Sequence, residues 1–329
     1  MSRQSSEPAP LTAPAPRPAP EAAPSRSSPP SPDRQGKAAL LMCVTAFIFA
    51  AQDAISRHLG GNYPPALVVM LRYWFFILFV LVLVARAPGG MGAALRSRRP
   101  LTQILRGVLL VVEINVIILA FVRLGLVNTH AIFACAPLIV TALSGPVLGE
   151  KVGWRRWCAI AAGFIGIVIV LRPGSGVFSA DALLAVASTL MFATYLLATR
   201  HVSRDDPAIV SFFWTGICGV VTATILGVRN WQPIAGPDIP WMALLCLSGA
   251  LSHYLLIRCY EMAEASSLQP YSYTQLIWVI VLAVVIFGET ISSNVILGGL
   301  IVVGAGLFTW WREHQLRRVS ALPPQGPAR

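Results

Sequence analysis

A chain of 329 residues that is 56% hydrophobic and only 12% charged carries about half the charge of an ordinary soluble domain, which points to lipid as its solvent. A net charge of +11 suggests nucleic acid at first sight, but the bases are scattered between long apolar runs and build no aromatic-interleaved face, so no nucleic-acid partner is expected. The six cysteines lie inside apolar runs without CxxC or Cys/His spacing and the five histidines are dispersed, so no metal centre and no cofactor is expected.

Residues 1–36 are mainly Pro, Ala and Ser with a few Arg, a composition that cannot bury enough apolar surface to fold, and they read as a disordered tail. They lack the apolar core of a secretory signal. Ten apolar runs follow, at about 37–59, 64–86, 101–122, 127–148, 152–171, 179–200, 207–227, 240–261, 268–287 and 291–311. Each is close to the ~20 residues a helix needs to cross a bilayer. Glycine and proline punctuate short connections, as at Gly60-Gly61, Pro173-Gly174 and Asp206-Pro207, so neighbouring runs are antiparallel. Runs this long and continuous are helices, which makes the expected fold class an all-α polytopic membrane protein with ten transmembrane helices. A second tail, 313–329, ends the chain.

The chain is built twice. The stretch from Pro137 to Gly174, with Gly149-Glu150 in its hairpin, returns from Leu276 to Trp311 with Gly288-Glu289 in the same place, 139 residues further on. Weaker echoes join Phe49-Ala50 to Phe192-Ala193 and Pro65-Ala66 to Pro207-Ala208. The repeats are expected over 37–174 and 179–312, five spans each. Because five is odd, the second half enters the membrane upside down. Inverted repeats of this kind mark alternating-access transporters, with the substrate site between the halves. Placing both termini in the cytoplasm puts eighteen Lys and Arg on that side and four on the other, so both termini are expected inside.

Several stretches carry a family resemblance: GEKVGWRRW in the first hairpin, IVLRPG ending the fifth span, Leu71-Arg72-Tyr73, and SHYLLIRCYEMAEASSLQPYSYTQLIW leading into FGE. Over about 37–312 the chain resembles the drug/metabolite transporter superfamily, specifically its EamA branch. The resemblance implies a substrate path through the centre of the bundle, with the fifth and tenth helices at its periphery. It implies a secondary transporter of a small organic metabolite in the cell inner membrane. The branch includes exporters of amino acids and other metabolites and importers of riboflavin or S-adenosylmethionine, so substrate and direction stay open. One departure is that Leu276 stands where the first half has Pro137, which leaves open a kink confined to one half.

Ionisable groups at membrane depth cost at least about 2.5–3.5 kcal/mol on insertion scales, so each is a functional candidate. At 1.5 Å per residue, Asp53 lies roughly 9 Å deep, Arg72 roughly 12 Å and Glu113 roughly 14 Å, near the midplane. Arg72 is expected to anchor a polar cluster with Asp53 and Glu113 beside the substrate cavity; the alternative is a structural ion pair that never meets substrate. Glu113 is the group on which a proton relay is expected. Arg106 and Arg258 are expected to snorkel to the interface. His253, beside Ser252 and Tyr254, is the histidine expected near the cavity, whereas His130 reads as facing the interface. Tyr195, Tyr273 and Gln275 are cavity candidates because their polar tips need partners.

Gly149-Glu150 and Gly288-Glu289 read as tight turns whose carboxylates favour the N-terminus of the following helix. Gly163, Gly166, Gly298, Gly299, Gly304 and Gly306 permit close helix approach, and leave open a homodimer through the fifth or tenth helix. No nucleophile–base pair is found, so no catalytic residue and no enzyme is expected. Two halves make no ring of like groups for a channel filter, and no Gly-rich Lys-Ser/Thr loop is present to use ATP.

Overall fold

In lipid a backbone must satisfy its own polar groups, and the chain does so by helix formation throughout its apolar runs. A computed structural model describes residues 32–148, 153–171, 180–262, 268 and 271–320. The helices are α1 (Pro32–Asn62), α2 (Pro65–Arg86), α3 (Gly90–Ala94), α4 (Pro100–Leu124), α5 (Leu126–Phe133), α6 (Ala136–Leu148), α7 (Trp154–Leu171), α8 (Ala180–Val202), α9 (Ala208–Gly227), α10 (Ile239–Met262), α11 (Thr274–Phe287) and α12 (Ser293–Ser320). Among the described residues nine segments are long and apolar enough to cross a membrane, with α5 and α6 forming one of them, and α11 is a shorter tenth. Pro65 and Pro100 open α2 and α4, where a missing N–H costs nothing and a fixed φ helps. The first helix starts at Pro32 and the last runs to Ser320, so helix extends beyond the spans at both ends. The Gly149-Glu150 hairpin lies outside the described residues.

The packing is two-fold and inverted. The second helix of each half packs on its counterpart (α2 on α9), as does the fifth (α7 on α12). The first helix of one half, α1, packs against α10 and α11 of the other; correspondingly α8 packs against α4 and the α5–α6 span. The end of α4 and the start of α8 lie together, since Arg123 reaches Asp181 at 3.6 Å, and the end of α1 joins them where Gly60 faces Ile118 and Val122 of α4. This end, which also holds Glu289, is called here the Glu289 end. Apolar clusters cross between the halves on both sides of the centre: Leu67, Met70 and Phe76 meet Phe213 and Leu245, and Phe121, Leu126 and Ile132 meet Val279 and Val295.

The fourth and ninth helices are both interrupted. The fourth breaks at Ala134-Cys135, just before Pro137, whose ring cannot donate to the carbonyl of Phe133. The ninth breaks at Tyr273, where the position equivalent to Pro137 is Leu276 and the nearest proline, Pro270, precedes the break; the Thr274 hydroxyl donates to the Tyr271 carbonyl at 2.6 Å. Ala134 and Tyr273 are 139 residues apart, the spacing that separates Glu150 from Glu289. The interruption therefore belongs to the repeat and not to Pro137 alone. Broken helices at equivalent places in two halves are how carriers bring backbone and side-chain polarity to their centre.

Glycine sets the α7–α12 distance. A Cβ on Gly166 would stand 2.8 Å from the Gly298 carbonyl and 2.9 Å from Val302 Cγ2. Gly163 and Gly306 likewise face side chains of this same chain, namely Leu138 and Tyr273, whereas nothing lies within 4 Å of a Cβ on Gly299 or Gly304. Four of the six glycines are thus spent on packing inside one chain.

Candidate functional site

The charged residues singled out in the sequence sit between the halves but divide into separate groups. Asp53 of α1 accepts a hydrogen bond on Oδ2 from Gln275 Nε2 of α11 at 3.0 Å. The same oxygen lies 3.2 Å from Nε2 of His130 on α5, close enough for ion pairing but off the line of a hydrogen bond. His130 is only 7% exposed. Its ring lies nearly parallel to Phe121, with centroids 5.2 Å apart and planes at 11°. The expectation of an interface-facing His130 is thereby corrected: α5 is short and enters the bundle, so a residue one turn into it is already covered.

Glu113 of α4 is 3% exposed and accepts a hydrogen bond from the Ser188 hydroxyl of α8 at 2.6 Å. The charges of Asp53 and Arg72 both act on it. No ion pair within 4 Å joins Arg72, Asp53 and Glu113 among the described residues, so the three share a region without forming a locked triad.

Arg72 of α2 makes no hydrogen bond or ion pair among the described residues. Its guanidinium lies over Gly249 of α10, where a Cβ would stand 3.3 Å from Arg72 Nε and 3.4 Å from Gln52 Oε1. That amide oxygen is itself buried and unpartnered. Next to them, His253 Nδ1 is 2.8 Å from the Gly249 carbonyl. A carbonyl can only accept, so Nδ1 carries the proton and Nε2 of the neutral ring is left as an acceptor. The His253 ring is surrounded by Phe49, Phe76 and Phe212, with centroids 5.9, 5.3 and 6.3 Å away. Unsatisfied polar atoms and an aromatic wall thus converge on one point between α1, α2 and α10.

Tyr195 and Tyr273 stand elsewhere. Tyr273 packs against Gly306 of α12, away from Gln275's contact with Asp53. Tyr195 stacks on Phe192 and belongs to the surroundings of Arg106, whose guanidinium is 5.4 Å from the Tyr195 ring centroid. Arg106 does not snorkel. It is 2% exposed and donates to Gln103 Oε1 at 2.9 Å, the Ser211 carbonyl at 2.6 Å, Thr215 Oγ1 at 2.7 Å and Thr199 Oγ1 at 3.1 Å. Distance from a helix end suggested water, but α8 and α9 close over that turn of α4. Gln103 passes the interaction on, donating to Asp206 at 2.9 Å. Burial works against the Asp206 charge, but hydrogen bonds from Ser97, the Arg98 N–H and Gln103, with the Arg98 charge, hold its carboxyl below the ordinary aspartate value. Arg99 pairs with Asp205 beside it, so this end is tied between 97–106 of one half and 195–215 of the other.

At the Glu289 end a different arginine makes the tie. Arg57 of α1 pairs with Glu289 and lies 4.1 Å over the Phe287 ring. Glu289 also accepts the N–H groups of Leu126 at 2.8 Å and Val127 at 3.2 Å. The carboxylate does cap a helix, but it is α5, distant in sequence, and not the helix that follows the hairpin. Gly125 makes this possible: its φ is +91°, and a Cβ there would stand 3.0 Å from Glu289 Oε1.

A single charge in an apolar run was enough to flag Asp53, Arg72 and Glu113. Gln52, His130, Ser188 and the Arg57–Glu289 pair gave no comparable signal, because neutral polar groups and span-end charges are common. Against known proteins, the model of the EamA-like transporter family matches residues 36–172 and again 180–311. The chain is 25% identical over 266 residues to the S-adenosylmethionine uptake transporter of Rickettsia felis, covering 81% of this chain and 90% of that one. It is 26% identical over 288 residues to the riboflavin transporter of Vibrio cholerae, covering 86% and 96%. A solved crystal structure superposes with a TM-score of 0.56 at 17% identity, covering 85% of this chain and 99% of the other, and supports the fold alone. With both halves matched and an inverted ten-helix bundle in place, the chain belongs to the EamA-like transporter family of the drug/metabolite transporter superfamily, as an integral membrane protein.

Proposed function

We propose that the protein is a secondary carrier that moves a small organic metabolite across the cell inner membrane by alternating access, with both termini cytoplasmic. The observation that carries this reading is Arg72. A guanidinium in the membrane costs at least about 2.5–3.5 kcal/mol, and here no hydrogen bond or ion pair among the described residues offsets that cost; the Glu113 charge acts on it only from beyond pairing distance. A ligand that presents an acceptor to Arg72 does. The neighbouring Gln52 oxygen and Glu113 carboxylate accept donors from the same ligand, and the Phe49–Phe76–Phe212–His253 wall suits a flat ring. A vitamin or cofactor importer is the second reading, favoured by the relatives named for S-adenosylmethionine and riboflavin. Both compounds combine a planar ring with hydrogen-bonding edges.

Counterflow in proteoliposomes tests the class. Vesicles preloaded with unlabelled riboflavin or S-adenosylmethionine are expected to take up a labelled trace transiently and saturably. Flux that rises linearly with concentration, without stimulation from the far side, would argue for a pore. Chemical conversion of the label would argue for an enzyme.

A further inference from the structure

Two contacts between the halves use residues one helical turn apart on α1, toward the Glu289 end. On α1, Asp53 and Arg57 are four residues apart and share a face; on α5, Leu126 and His130 do the same. The second half supplies Gln275 of α11 at the deeper level and Glu289, just after α11, at the shallower one. The deeper rung is Asp53–His130–Gln275. The shallower rung is Arg57–Glu289 with the N-terminal N–H groups of α5. On α1 four residues, about 6 Å, separate the two levels, whereas Gln275 and Glu289 stand at opposite ends of α11 and reach α1 from those two ends.

We infer that the Asp53–His130 pair is the coupling site of this carrier, a place where one proton binds and sets the strength of the Arg57–Glu289 tie above it. The inference rests on the carrier reading above. With a neutral imidazole the pair has a charge of −1; with one proton added to the ring it is neutral overall, and nothing else changes in the bookkeeping. In the charged state Asp53 competes with Glu289 for Arg57 across one turn of α1, and the tie loosens. In the protonated state Asp53 is matched by His130, whose cation lies against the face of Phe121, and Arg57 belongs wholly to Glu289. Protonation therefore closes the Glu289 end and proton loss releases it.

The surroundings fit this assignment better than they fit Glu113. Asp53 is 18% exposed, so a proton can reach it, while Glu113 is enclosed and its hydrogen-bond partner is a serine hydroxyl. The charged and titratable groups around the pair are Arg57 on α1, Arg72 on α2, Glu113 on α4 and Glu289 after α11, with His253 on α10 beyond Arg72 and, next to Arg57, His58 paired with Asp238 just before α10. On the remaining neighbours of α5, Asp181 of α8 is held by Arg123, and Arg155, Arg156 and Arg312 of α7 and α12 lie toward the opposite end. The group within pairing distance of His130 among the described residues is Asp53.

Spin labels at Gly61 and Ser292, in a background with the native cysteines replaced, report the opening of the Glu289 end without any substrate. In bilayers between pH 5.5 and 8 the ratio of the long-distance to the short-distance population is expected to rise with pH, by up to about tenfold per unit for one proton. His130→Gln and Asp53→Asn, each close in size to the original, are expected to abolish that response, and Glu113→Gln to keep it. A wild type that does not respond to pH, a His130→Gln variant that responds like wild type, or loss of the response in Glu113→Gln alone would overturn the inference. Counterflow in the same preparations is read separately, so failure of the carrier reading is distinguishable from failure of the proton site.

Discussion

Replacing Arg72 by Gln is expected to abolish saturable counterflow while leaving the protein as stable as wild type or more so. The two halves of that expectation come from one fact, that the guanidinium makes no hydrogen bond or ion pair among the described residues. Removing it breaks no hydrogen bond or ion pair, gives up only the longer-range attraction to Glu113, and relieves a membrane-insertion cost of about 2.5–3.5 kcal/mol. A ligand held by two charge-assisted hydrogen bonds, each worth about 1.5–3 kcal/mol, would lose at least ~100-fold in affinity. Lysine keeps the charge but not the planar fork, so Arg72→Lys should recover only part of the flux. Thermal melting in detergent, read beside counterflow, checks both halves. An Arg72→Gln protein that melts early yet still transports would make Arg72 a structural residue.

Arg106→Leu is expected to give the opposite pattern, a large loss of folded protein. This arginine is enclosed and is hydrogen-bonded to Gln103, Thr199, Ser211 and Thr215. Leucine fills the space but leaves those acceptors facing apolar atoms, at about 1–3 kcal/mol for each one not otherwise satisfied. Thr199 and Thr215 still donate to their own helix at 2.8 and 2.7 Å, and the Thr215 hydroxyl does so to the Ser211 carbonyl, so the heaviest loss falls on the Gln103 oxygen. A fall in melting temperature and a rise in aggregated material on size exclusion are the expected readouts. An unchanged melt would mean that the Arg106 network adds nothing to the joint between α4, α8 and α9.

These two arginines also show where sequence reasoning stops. The helices, their inversion and the depth of each charge follow from lipid and chain length, because a bilayer leaves the backbone few choices. Partners do not follow. Arg72 and Arg106 are both basic residues in apolar runs, and nothing in their immediate neighbours says that one is unpartnered and the other saturated. Arg106 was assigned to the interface from its distance to a helix end, which ignores that Ser211 and Thr215 of α9 cover it. Asp53 meets Gln275 across 222 positions of sequence, a contact fixed only when α11 docks on α1. The break at Tyr273 was not visible because Leu276 stands where the first half has Pro137 and Pro270 is out of register with it, although the spacing of 139 residues from Ala134 shows that the repeat requires it. Glu289 was legible as a helix-capping carboxylate, but the hairpin suggested the adjacent helix when the N-terminus it meets is that of α5.

Alternation between two ends is the claim on which transport rests, and each end is tied across the halves here: by Arg57–Glu289 at one, by Asp206 and Arg99–Asp205 at the other. Pulsed electron spin resonance on two label pairs, Gly61–Ser292 and Gly92–Ser203, measures both ends in one bilayer preparation. The expected result is opposed movement, the first distance lengthening in the conditions where the second shortens. Distances that lengthen together, or that stay fixed while counterflow proceeds, would contradict it.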